Sequence, residues 1–207
     1  AKALSENSVI SACKPVVIGN MAVLHRAFDF IHKTRPNLTL VSDHLENILK
    51  DPTVIPVIDR TDAFELLELP LGTISPVAGK ASIDWVIHAA HLAIDGTIDA
   101  IATAPINKAA GKLAGFEEIG HMEIFQRLTE SPRVLTMLMT KGLRVVHLST
   151  HRSLRIACDY VTRDNVLHAL RVTNLFFQEQ GFSSPKIAVA ALNPHGGEEG
   201  LLGMEEI

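Results

Sequence analysis

Short apolar, β-rich runs that stop at polar clusters recur along this chain, and segments of helical period separate them. Pro15-Val-Val-Ile-Gly19, Leu38–Val41 and Val54–Ile58 read as buried strands, with Met21, Leu24, Phe28 and Ile31 at helical spacing between the first two. A weaker helical signal covers 43–50, and residues 1–12 look helical. Alternation of strand and helix predicts a parallel α/β sheet. Further on, Asp99–Pro105, Val134–Met139, Leu143–Ser149 and Lys186–Leu192 are strand candidates, the middle two joined at Lys141-Gly142 as a hairpin. Helices are expected over Val77–Ile94, with Ala81, Trp85, His88, Ala89 and Leu92 packed on a sheet, and over 163–180, with Val166, Leu170 and Phe177 inward and Gly181 as its stop. Residues 60–75 are mixed in character. Pro70-Leu-Gly72 and Pro76 place a domain boundary there, dividing the chain into 1–72 and 73–207.

In open α/β sheets the carboxyl ends of the strands are where ligands bind. Two strand candidates end on an imidazole: Leu143-Arg-Val-Val-His-Leu-Ser-Thr-His151 and Ile187-Ala-Val-Ala-Ala-Leu-Asn-Pro-His195. Pro194 holds Asn193 extended, and Gly196-Gly197 permits a tight turn after His195. Taken singly, either His could equally hydrogen-bond a loop; the two contexts together favour a shared divalent metal. Two imidazoles are too few for such a site, and local spacing does not name a third ligand. Glu198 and Glu199 are candidates for it, though their context reads more readily as solvated.

Other segments offer anion contacts. Gly120-His121-Met122-Glu123 opens a helix with Ile124, Phe125 and Leu128 inward, and a helix start attracts negative charge. His121 there is either an exposed turn residue or a hydrogen-bond donor to an anionic substrate. Thr103-Ala-Pro-Ile-Asn107-Lys108 resembles a strand-end binding loop, with Lys108 free to pair with phosphate or carboxylate, or simply a surface lysine. Arg152 follows His151 directly. Gly79-Lys80 suggests a phosphate loop, but position 74 is Ile where the motif needs its first Gly, and no strand precedes it. His88 and His91 lie three apart on one helix; without an acidic neighbour in sequence they read as core and boundary residues.

Composition excludes several classes. The 207 residues carry a net charge of −4, which leaves no basic footprint for nucleic acid. No stretch approaches the roughly 18 apolar residues a membrane helix requires. Cys13 and Cys158 have no CxxC spacing and form neither a zinc site nor a disulfide framework, so a reducing cytoplasm is expected. The start, Ala1-Lys-Ala-Leu-Ser-Glu, reads like mid-helix and the end, Gly203-Met-Glu-Glu-Ile207, like a helix beginning, as in a piece of a longer protein.

In their order, Pro15–Gly19, Ala102-Thr-Ala-Pro-Ile-Asn-Lys108, Gly120-His121, Ser149-Thr-His151, Leu192-Asn-Pro-His195-Gly-Gly-Glu198 and Gly203–Ile207 resemble the 4-hydroxythreonine-4-phosphate dehydrogenase family. The resemblance spans essentially the whole chain, and Asn-Pro-His-x-Gly-Glu is its most specific piece. It implies a three-layer α/β/α fold like that of isocitrate and isopropylmalate dehydrogenases, with residues 1–72 on the cofactor side. Residues 73–207 would then carry the substrate and metal residues and the dimer interface.

It implies a homodimer with a shared active site, and NAD- or NADP-dependent oxidation and decarboxylation of a 4-phosphorylated hydroxy acid. By motif, His151 and His195 carry over as ligands of zinc, magnesium or cobalt. His121, Met122 and Arg152 carry over as substrate contacts and Lys108 as a catalytic residue; no cofactor-binding residue is identified. Met122 stands where many relatives of the vitamin B6 branch have Thr, which removes a hydroxyl donor. Thr-Ala-Pro-Ile-Asn-Lys is similar to the branch acting on D-threonate or D-erythronate 4-phosphate, so pyridoxine biosynthesis and sugar-acid catabolism both stay open. The family's glycine-rich opening and its third metal-binding His would lie outside Ala1–Ile207, so the chain alone is expected to be inactive. A metal-dependent hydrolase and a non-catalytic member of the family are the competing readings.

Overall fold

A computed structural model describes residues 1–43, 45, 50–61, 63–150 and 152–207. The chain divides into two compact units, Ala1–Pro132 and Arg133–Ile207.

The first unit is built on a parallel sheet of β1 (Val17–Ile18), β3 (Val54–Ile58) and β2 (Asn37–Val41), in the order β1-β3-β2. All five β2 residues pair with β3, from Asn37 opposite Val54 to Val41 opposite Ile58. Ile55–Ile58 of the central strand are buried, as an apolar run covered on both faces requires. Helix α1 (Asn7–Ala12) precedes the sheet, and α2 (Met21–Ile31) connects β1 to β2. Asn20, 3% exposed, caps α2 by accepting from the Val23 N–H at 2.9 Å. Its amide also donates to Asp59 (3.4 Å) and Thr61 (3.2 Å), while Asp59 accepts the Met21 N–H at 2.8 Å. One polar knot thus ties the ends of β1 and β3 to the start of α2. Asn20→Ala removes the cap and leaves buried partners unmatched. The expected cost is about 1–3 kcal/mol in chemical denaturation.

Helix α4 (Pro76–Ile94) begins on a Ser75 cap with proline at its first turn and runs through the whole unit. Its Leu92 packs with Ile58 and Leu45 against the sheet, whereas its Ile83 and Val86 pack with Ile124 of α6 (His121–Leu128). Burial on more than one side fits the five alanines and three isoleucines of α4. The boundary expected near residue 72 therefore falls inside the first unit, because α4 packs both on the sheet before that point and on the helices after it. Close to α4 lie α3 (Ala63–Leu67) and α5 (Lys108–Leu113). A Cβ on Gly79 would stand 2.2 Å from the Ala110 carbonyl oxygen, so this glycine marks close contact of α4 with α5 and not a phosphate loop.

In the second unit β4 (Thr136–Thr140) and β5 (Leu143–His147) form the expected antiparallel hairpin, turning at Gly142 with φ of 82°. Short α7 (Leu154–Asp159) and long α8 (Arg163–Glu179) follow, capped by Ser153 and Thr162. The Arg144 guanidinium sits 5.7 Å from the ring centres of both Phe177 and Phe182, packing the hairpin on the end of α8. Among the described residues of this unit only Thr173 and Gly197 are buried. Leu138, Leu143, Val145, Val189 and Leu192 are exposed.

Two expected strands do not form. Asp99–Pro105 and Lys186–Leu192 are irregular, and neither joins a ladder among the described residues. An apolar run becomes a strand only when a neighbour takes up its backbone groups, and Lys186–Leu192 is exposed throughout. The weak helical signal at 43–50 lies largely outside the described residues.

Candidate functional site

The predicted site residues fall in both units. In the first, Lys108 and His121 each open a helix that packs on α4. Asn107 caps α5 by accepting from the Ala110 N–H at 3.0 Å, and this places exposed Lys108 at the helix start. Gly120 holds an extended backbone (φ −120°, ψ 149°) and His121 is the first residue of α6. The His121 Nε2 is buried and has no hydrogen-bond partner among the described residues. A buried, unmatched imidazole nitrogen is costly unless a ligand or water completes it, and His121 is half-buried, not an exposed turn residue. Its neighbour Met122 is 38% exposed. Glu123 folds back beside Gly120, where an added Cβ would lie 2.0 Å from a carboxylate oxygen, so the start of α6 already has negative charge next to it.

In the second unit Arg152 stacks over the Tyr160 ring, its guanidinium carbon 4.4 Å from the ring centre. That contact holds a planar, five-donor cation in place at the start of α7. His151 lies outside the described residues. His195 sits in a turn closed by its own N–H donating to Asn193 Oδ1 at 2.9 Å. Its Nδ1 lies 2.5 Å from Glu198 Oε1, and its Nε2 has no partner among the described residues. Glu198 is therefore not the freely solvated carboxylate its sequence context suggests.

Sequence reasoning also missed the partner of His88. The His88 Nε2 lies 3.0 Å from Asp43 Oδ1, and Asp43 also pairs with Arg60. Asp43 follows β2 and stands 45 positions away, so no local pattern announces it. His91, one turn on, is exposed. The pair is a structural tie from α4 to the ends of β2 and β3, in keeping with the core-and-boundary reading.

A family model described as pyridoxal phosphate biosynthetic protein PdxA matches residues 11–207. The chain belongs to the PdxA family. A protein from Symbiobacterium thermophilum, provisionally named D-threonate 4-phosphate dehydrogenase, is 40% identical over all of this chain and 61% of its own length. A 4-hydroxythreonine-4-phosphate dehydrogenase from Desulforapulum autotrophicum is 36% identical over 99% of the chain and 60% of its own length. The chain thus spans about three-fifths of the length of these PdxA relatives. The crystal structure of a 4-hydroxythreonine-4-phosphate dehydrogenase from Klebsiella pneumoniae superposes with a TM-score of 0.86 at 34% identity. It covers 99% of this chain and 62% of that one. A Burkholderia phymatum enzyme of the same name gives a TM-score of 0.85 at 33% identity, covering 99% of this chain and 61% of its own. The chain accordingly has the α/β fold of isocitrate dehydrogenase type that these PdxA structures share.

The donor chemistry at His195 fits a late divalent ion. One ring nitrogen is engaged by a carboxylate, and the other is free to act as a neutral imidazole ligand. Among the described residues no three His, Cys, Asp or Glu side chains gather into a complete metal cage. No described helix is long and apolar enough to cross a membrane.

Proposed function

We propose that the whole protein is a nicotinamide- and metal-dependent dehydrogenase that oxidises a 4-phosphorylated hydroxy acid at its hydroxyl carbon and releases carbon dioxide from the resulting β-keto acid. The single observation that carries this reading is that relatives named for D-threonate 4-phosphate and for 4-hydroxythreonine 4-phosphate match the chain through every segment holding a candidate residue. Both names describe a small acid with a phosphate at one end, so the shared chemistry holds whichever branch applies. The 40% identity to the first and 36% to the second, with Met122 in place of a hydroxyl donor, favour the sugar-acid substrate.

This chain would supply binding and orientation. Lys108, exposed at the start of α5, offers an ammonium to a phosphate or carboxylate. His121, with an unmatched buried nitrogen, hydrogen-bonds the substrate. Arg152, immobilised on Tyr160, presents a fork that suits the same anions. His151 and His195 would hold a zinc, magnesium or cobalt ion. When bound, such an ion polarises the substrate hydroxyl and lowers its pKa, and an NAD or NADP nicotinamide accepts the hydride. Exposed apolar side chains of the second unit, Leu138, Leu143 and Val145 among them, supply surface for the second subunit of a homodimer. Exposed Cys13 and Cys158 are consistent with a reducing cytoplasm.

The test is reduction of NAD or NADP by the whole protein with a panel of 4-phosphorylated hydroxy acids and added zinc, magnesium or cobalt. Turnover of D-threonate or D-erythronate 4-phosphate, with dihydroxyacetone phosphate as product, is expected. Metal-dependent hydrolysis of the panel without nicotinamide reduction would replace the dehydrogenase reading with a hydrolase.

A further inference from the structure

Resting on the reading of His195 as a metal ligand, we propose that Glu198 is a positioning residue that sets the tautomer and direction of the His195 ring, so that Nε2 presents its lone pair to the cation. The His195 Nδ1 and Glu198 Oε1 are 2.5 Å apart. An ionised carboxylate can only accept, so the ring nitrogen facing it carries the hydrogen; in a neutral imidazole the other nitrogen then holds the lone pair. A metal-bound His whose second nitrogen donates to a carboxylate is oriented and made a better ligand by that bond.

The loop is shaped to make this contact. Gly196, Gly197, Glu198, Glu199 and Gly200 have φ of 59°, 77°, 43°, 56° and 94°, five consecutive residues with positive φ. Glycine adopts it freely, but for the two glutamates it is a conformation that only a well-determined surrounding maintains. The surrounding is present: Gly200 N–H donates to the Gly197 carbonyl at 3.0 Å and Leu202 N–H at 2.9 Å. A Cβ on Gly197 would stand 2.9 Å from the Gly203 carbonyl oxygen, so the loop closes on itself at that point. Glu206 Oε1 accepts the Leu192 N–H at 2.9 Å and staples the segment that leads into the loop. The result brings the carboxylate three residues on back to the ring, while Glu199 beside it makes no such contact.

The experiment compares Glu198→Ala, Glu198→Gln and Glu199→Ala with the unaltered whole protein. Zinc affinity is measured by calorimetric titration, and the ¹⁵N signals of the His195 ring are recorded without metal at a pH where the ring is neutral. The expected result is a hydrogen on Nδ1 in the unaltered protein and loss of that preference in Glu198→Ala. Zinc affinity should fall by about 10–100-fold in the same variant. Glu198→Gln, which keeps an accepting oxygen, should fall less, and Glu199→Ala should match the unaltered protein. Unchanged tautomer and affinity in Glu198→Ala, while His195→Ala abolishes zinc binding, would overturn the role of Glu198 alone. Undiminished zinc binding in His195→Ala would instead remove the metal reading beneath it, and the ring signals would still decide whether Glu198 sets the tautomer.

Discussion

His195→Ala in the whole protein is expected to weaken zinc binding by roughly a hundredfold or more and to reduce turnover to background. A divalent ion in such a site has few protein ligands, so removal of one takes away a large share of the binding and opens the coordination shell to water. The change should leave folding nearly intact. The His195 ring is 59% exposed, and its contacts are a local turn bond and the Glu198 carboxylate, neither part of a buried core. Calorimetric titration with zinc, nicotinamide reduction and a thermal melt separate the three quantities. A variant that keeps its zinc affinity would deny His195 the role of ligand.

Gly79→Ala is expected to destabilise the first unit by about 2–3 kcal/mol, against the ordinary trend for glycine in a helix. Alanine within a helix normally gains about 0.5–1 kcal/mol over glycine. Here the new methyl would lie 2.2 Å from the Ala110 carbonyl oxygen, 2.3 Å from its carbon and 2.8 Å from the Gly111 nitrogen. These are backbone atoms that cannot rotate aside, so α4 and α5 must separate by about an ångström, and overpacking of that kind costs about 1–3 kcal/mol or more. The clash wins. Because α5 begins at Lys108, the same shift should raise KM for the phosphorylated substrate if Lys108 binds it. Lys80→Ala is the instructive neighbour: its 2.5 Å pair with Asp84 is an exposed i,i+4 contact, so its loss should cost no more than about 0.5 kcal/mol. A phosphate-loop lysine would behave in the opposite way, with binding lost and stability kept.

Much of the first unit was legible because its signals are local. Val54–Ile58 reads as a buried strand from composition alone, and Met21, Leu24, Phe28 and Ile31 mark a helix by period. The hairpin turn at Gly142 and the end of α8 before Gly181 were legible for the same reason, since each depends on a left-handed glycine that sequence displays directly. The failures have one physical source. Asp99–Pro105 and Lys186–Leu192 have strand composition, yet a strand also needs a neighbour, and no local pattern says whether one is present. Pro70-Leu-Gly72 and Pro76 mark a local break in the chain, whereas α4 packs with residues on either side of that point, which no local pattern shows.

The candidate site divides in the same way. His121 at the start of α6 could be placed from Gly120, whereas Lys108 reads in sequence as part of a strand-end loop and in the structure opens α5 behind the Asn107 cap. The unmatched nitrogen of His121 could not be placed, because it depends on what surrounds the ring in space. Asp43 meeting His88 across 45 positions is invisible to spacing. Glu198 was visible in principle: two glycines between it and His195 allow the chain to fold back within three residues. Adjacent glutamates in a polar loop are usually solvated, and that general tendency masks the cue.

The most direct test is anomalous diffraction from crystals of the whole protein loaded with zinc. A metal peak is expected with a nitrogen of His151 and the Nε2 of His195 each at about 2.0–2.1 Å. A metal bound elsewhere, or imidazoles of residues 151 and 195 that do not share it, would contradict the account.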